Sequence, residues 1–140
     1  MKKTILTLIA FITLLTSVAS ISANAAIANP GETVTPLWDN IVLTSSNLLF
    51  TDNLTGAAEM TVTRKPGTTS TTITIEVYKQ TGSTWTLIKE GSKTSTAMVT
   101  PYSLTFPGEI GGYYKAEFTV SVSRSGNIET TTETRYITCE

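Results

Sequence analysis

The chain has 140 residues, with 10 Lys and Arg against 11 Asp and Glu, no histidine and one cysteine. Without histidine there is no Ser-His-Asp or Cys-His nucleophile arrangement, and the commonest zinc ligand is missing. Apart from Lys2–Lys3 at the start and Arg64–Lys65, basic residues are scattered singly, so no basic patch offers itself to nucleic acid.

Lys2 and Lys3 are followed by an apolar run from Ile5 to Leu15 and then by small and polar residues ending in Ala23-Asn24-Ala25. A basic head, a short apolar middle and an Ala-x-Ala exit site predict a secretory signal peptide over residues 1–25, with Ala28 as the alternative cleavage point. The apolar run is shorter than the about 20 residues of a membrane span, so a secreted product with no permanent membrane anchor is expected. Residues 26–36, with two prolines and a glycine, read as an extended lead-in, and residues 37–140 as one domain.

From there the chain divides into short runs separated by turn signals. Residues 37–43 and 46–51 read as two parts of a first edge region, and "DNLTG" (52–56) as a turn in which Asp52 and Asn53 are turn residues, not metal ligands. "AAEMTVTR" (57–64) alternates, placing Ala58, Met60 and Val62 together, and "KPGTTS" (65–70) turns. "TTITIEVYKQ" (71–80) gathers Ile73, Ile75 and Val77 on one face; "TGS" is a tight connection, "TWTLIKE" (84–90) returns, and "GSKTS" reads as loop. Pro101 confines "TAMVTPYSLTF" (96–106) to an edge or a bulge. After the corner "PGEIGG" (107–112), Tyr114, Ala116, Phe118, Val120 and Val122 form a one-sided stripe; "SGN" turns it and residues 128–138 close the domain. Alternation with one wet face is the mark of antiparallel sheets, which must put their apolar faces together. The expected fold is an all-β, immunoglobulin-like antiparallel sandwich of about seven strands.

Gly112-x-Tyr114-x-Ala116 resembles the Gly-x-Tyr-x-Cys of immunoglobulin domains, and "SLTFPGEIGGYY" is similar to the corresponding passage of fibronectin type III domains. The resemblance implies that the Tyr114 hydroxyl bonds back to the 107–112 corner, and that the domain lacks the intersheet disulfide because Ala116 stands at the cysteine position. More broadly, Trp38-Asp39-Asn40-Ile41, Gly56-Ala57-Ala58, Tyr78-Lys79-Gln80, Gly82-Ser83-Thr84-Trp85 and Gly111-Gly112-Tyr113-Tyr114-Lys115 resemble a group of small secreted proteins of clostridia and related Gram-positive bacteria. That family implies an immunoglobulin-like sandwich and brings no established activity. Here Lys-Gln replaces its Gln-Lys, and Lys115 replaces its arginine.

Glu76 and Glu117 are the pair of acids nearest a catalytic arrangement, but both fall on the polar face, where a solvated acid is a poor proton donor. No enzyme activity, cofactor or metal is expected. The aromatics are the better lead, since their faces stack on sugars and anchor interfaces. Tyr78, Lys79, Tyr113, Lys115 and Glu117 are the candidate ligand-binding residues, with a protein or glycan as the partner; Trp38, Trp85 and Tyr114 are assigned to the core. The Thr130, Thr132, Thr134 row is taken as edge-strand chemistry. Cys139 has no partner for an internal disulfide and reads as a thiol in a frayed end, with a monomer expected and a Cys139-linked dimer as the alternative. A self-associating component of the envelope or extracellular matrix is the second functional class that the sequence leaves open, and a small glycan-active enzyme the third.

Overall fold

A computed structural model describes residues 38–51 and 53–140. The expected signal peptide and lead-in lie outside the described residues, as do Leu37 and Asp52.

Seven strands follow one another: β1 (Ile41–Phe50), β2 (Thr55–Arg64), β3 (Ser70–Thr81), β4 (Thr84–Ser95), β5 (Val99–Pro107), β6 (Tyr113–Arg124) and β7 (Asn127–Thr138). They form two antiparallel sheets, β1-β2-β5 and β4-β3-β6-β7. The chain changes sheet between β2 and β3, between β4 and β5, and between β5 and β6, which gives the three-on-four immunoglobulin-like sandwich. The stripes predicted from alternation meet between the sheets. Ile73, Ile75 and Val77 of β3 and Ala116, Phe118, Val120 and Val122 of β6 are fully buried, facing Ala58, Met60 and Val62 of β2. Pro101 lies on β5, an edge strand, where its missing N–H costs no ladder bond.

Three expectations are corrected. The first edge region is a single strand with a register shift between Ile41 and Leu43. Its polar middle stays in the strand because the Thr44 and Ser46 hydroxyls donate to the Glu133 carboxylate of β7, the latter at 2.6 Å. Residues 91–95, read as loop, continue β4 to Ser95. Gly91 there serves close approach, not a turn: a Cβ would collide with the Tyr102 hydroxyl and sit 3.0 Å from Leu104 Cδ1. Finally, Cys139 is no frayed end. Its side chain is fully buried in the core, its N–H donates to the Gly112 carbonyl at 2.9 Å, and its own carbonyl accepts from Gly111 at 2.7 Å. The C-terminus is therefore stapled to the β5–β6 corner.

That corner also carries Tyr114. Its ring is buried against Phe50 and Phe106, and its hydroxyl accepts from the Glu109 N–H at 2.9 Å. Gly112 makes room for it, since a Cβ would lie 2.7 Å from Tyr114 Cε2. At the opposite end, buried Arg64 donates from Nε to the Ala97 carbonyl at 3.0 Å and from Nη1 to the Thr68 hydroxyl at 2.8 Å. It ties the β2–β3 turn to the β4–β5 connection.

Candidate binding face

Because side chains alternate along a strand, the residues between the buried ones form the outer face of the four-stranded sheet. Its register sets them in rows across β4-β3-β6-β7. Thr94, Thr72, Ser121 and Thr130 make one row, and Ser92, Thr74, Thr119 and Thr132 the next. Then come Glu90, Glu76, Glu117 and Thr134, and after them Leu87, Tyr78, Lys115 and Tyr136. Trp85, opposite Gln80, lies beyond.

The hydroxyl rows are paired within themselves. Thr72 meets Thr94 at 2.9 Å, Thr74 meets Ser92 at 3.2 Å, Thr119 meets Thr132 at 3.1 Å and Ser121 meets Thr130 at 2.9 Å. Such cross-strand pairs stabilise a sheet by about 0.2–1 kcal/mol each. The Thr row of β7 is thus one column of an array four strands wide, with the Thr130 and Thr132 hydroxyls already engaged.

At the other end of the face the aromatic rings converge. Trp85 lies 5.6 Å from Tyr113 and 5.9 Å from Tyr136, centroid to centroid, and Tyr113 and Tyr136 are 6.0 Å apart with planes only 19° from parallel. The Lys115 ammonium sits 4.4 Å from the Tyr78 ring centroid and 5.3 Å from that of Trp85, while donating to Glu117 Oε1 at 2.6 Å. The Glu117 hydrogen bond holds the Lys115 pKa above its ordinary value, against an opposing push from burial. Burial raises the Tyr78 hydroxyl pKa, with Glu76 and Glu117 adding to the effect and Lys115 opposing it. Of the rings, Tyr136 stays 54% exposed and Tyr113 39%, with Leu87 of the same face 43% exposed beside them.

Of the residues singled out from sequence, Tyr78, Tyr113, Lys115 and Glu117 share this face; Lys79 does not. It is the register partner of Tyr114, on the inward parity, and its ammonium pairs with Glu109 in the β5–β6 corner. Neighbouring strand residues point to opposite sides, so Lys79 cannot accompany Tyr78. The Glu109 hydrogen bond raises the Lys79 pKa. Trp38 is partly buried against the core, its carbonyl accepting from Lys65 Nζ at 2.6 Å. Trp85 is the second correction here. It belongs to the outer cluster and not to the core, because the ladder skips Ile88: Val77 pairs with Lys89, but Tyr78 pairs with Leu87. One extra residue reverses the parity of everything before it in β4. The bulge turns Trp85 outward, and strict alternation counted from Glu90 would have buried it.

Cavities of about 680 and 610 Å³ lie elsewhere, one at the β6–β7 turn beside Asn40 and Glu129, the other along β5 beside Pro101 and Lys93. Among the described residues no three His, Cys, Asp or Glu side chains gather as a metal site would require. Compared with known protein families, curated proteins and solved structures, the chain matches none.

Proposed function

We propose that this protein is a secreted, non-catalytic binding module acting at or near the bacterial surface, and that it holds its ligand on the outer face of the four-stranded sheet. The observation that carries the reading is the convergence of Trp85, Tyr113 and Tyr136 beside the Lys115–Glu117 pair. Nothing in the packing demands these rings: the core between the sheets closes without them. Exposed aromatic faces gain free energy when a partner removes them from water. Glu76 and Glu117 stand opposite each other in register on an open sheet, an environment without the pocket that acid–base catalysis needs. The Cys139 thiol, fully buried, lends no support to a linked dimer.

The experiment is depletion from solution. The mature protein is mixed with bacterial envelopes, insoluble polysaccharides and mucin, and the unbound fraction is measured for wild type and for Tyr113→Ala and Tyr136→Ala. Retention by one material that either variant loses supports a binding face. Retention that neither variant changes, or self-association seen in sedimentation that both abolish, overturns the reading.

A further inference from the structure

We infer, building on that reading, that the ligand is a polysaccharide whose sugars carry free amino groups, lying along β3 and β6 from the tyrosine pair to the glutamate row. The exposed rings come first. Tyr113 and Tyr136 stack with nearly parallel planes and keep much of their ring surface open to solvent, apolar area that the C–H side of a sugar ring would cover. Beyond the neighbouring rings of Trp85 and Tyr78 and the side chain of Leu87, the residues around them are hydrogen-bonding ones: Gln80, Thr134, Lys115 and Glu117. A protein partner would instead favour a surrounding apolar patch that excludes water.

The charge on the face narrows the class. Glu90, Glu76 and Glu117 occupy directly opposed positions on three neighbouring strands, where like charges are destabilising. Lys115 answers only one of them, and among the described residues Glu76 and Glu90 have no ion-pair partner. Elsewhere on this face the adjoining rows are Thr and Ser with paired hydroxyls, so neutral residues evidently suit the sheet. Two carboxylates without an ion-pair partner, one of them beside the Tyr78 hydroxyl, are where the sequence departs from its own pattern next to the aromatic rings, and such departures mark functional positions. Ammonium groups spaced along a sugar chain that stacks on Tyr113 and Tyr136 would meet Glu76 and Glu90 one or two rows further on. The same carboxylates repel uronates and other acidic glycans. The hydroxyl rows beyond are already bonded to each other and mark the end of the site.

The test compares the mature protein on particles of chitosan, chitin, cellulose and pectate at low salt, with three forms: wild type, Tyr113→Ala/Tyr136→Ala, and Glu76→Gln/Glu90→Gln. The expected result is chitosan binding well above the other three, weakened about tenfold by loss of the rings and about threefold to tenfold by loss of the charges, the latter effect fading as salt is added. The Gln variants keep shape and remove repulsion, so a folding defect does not confound them. Chitosan binding that needs the glutamates but not the rings is plain ion exchange and overturns the proposal. Equal binding to chitin or cellulose, lost with the rings and indifferent to the glutamates, overturns the amine requirement while leaving the binding-module reading intact. Failure on every polysaccharide, with capture of a protein by the same rings, overturns the glycan class.

Discussion

Replacing Tyr114 by Phe removes one oxygen from the core and nothing else, and the structure specifies what that oxygen does. It is the acceptor for the Glu109 N–H at 2.9 Å, a partly buried bond that pins the β5–β6 corner across the end of the sandwich. The ring stays, with its edge-on contact to Phe50 and its tilted contact to Phe106, so no cavity opens. The loss is therefore that of one hydrogen bond with its donor left under-satisfied, about 1–2 kcal/mol. For a domain of this size that is a fall in melting temperature of about 4–8 °C for each kcal/mol. Guanidinium unfolding should show a lower midpoint with an unchanged slope, and the Glu109 amide should lose its protection from hydrogen exchange. Gly112→Ala provides the companion test. Its Cβ would meet Tyr114 at Cε2 (2.7 Å) and at the hydroxyl (2.9 Å), and the Glu109 carbonyl oxygen at 2.9 Å, an overpacking cost of about 1–3 kcal/mol. In the Tyr114→Phe background one of those three contacts is gone, so the double variant should be less unstable than the sum of the singles. A Tyr114→Phe protein as stable as wild type, or strict additivity with Gly112→Ala, would refute this account of the corner.

Cys139→Ser puts a hydroxyl into a fully buried core position and should cost about 1–3 kcal/mol, while the native thiol should react with a disulfide reagent only as fast as the C-terminal segment opens; prompt native reactivity would contradict the stapled terminus. Glu76→Gln/Glu90→Gln should raise stability by about 0.2–1 kcal/mol at low salt, because opposed like charges are relieved, and a loss would show that the row is not repulsive. Tyr78 and Lys115 both hold their protons more tightly in the fold than their ordinary values of 10.0 and 10.5. Their contribution to stability is thus intact below about pH 10 and is lost as pH rises through the raised values. Denaturation midpoints measured across that alkaline range should fall less steeply for Tyr78→Phe/Lys115→Met than for wild type; parallel curves would contradict the share of this pair.

How far the sequence reached depended on whether a feature was local. The stripes at Ile73–Val77 and Tyr114–Val122 are period-2 patterns facing a buried layer, and they gave the strands and their inner faces without ambiguity. Gly112 and Tyr114 announce their corner because the two are close in sequence and the glycine is needed by the ring. The misreadings needed information from distant strands. Thr44 and Ser46 look like a break until Glu133 is known to face them, and Gly91 looks like a turn until Tyr102 lies across it. Cys139 looks terminal until the Gly111–Gly112 backbone takes it into its ladder. In the candidate binding face, parity along the strands picks out Tyr78, Tyr113, Lys115 and Glu117, and the same count sets Lys79 aside. Tyr136 shares the parity of the Thr130–Thr134 row, so it was within reach. Trp85 was not, because the bulge at Ile88 carries no glycine or proline to signal the shift.

The most direct test of the binding face is chemical-shift mapping of the mature protein with soluble glucosamine oligosaccharides. The account predicts saturable shifts at the Trp85 indole, Tyr113, Lys115 and Tyr136, extending to Glu76 and Glu90 and stopping at the hydroxyl rows. Shifts gathered instead around Asn40, Asn127 and Glu129 at the opposite end of the sandwich, or no shifts at all, would contradict it.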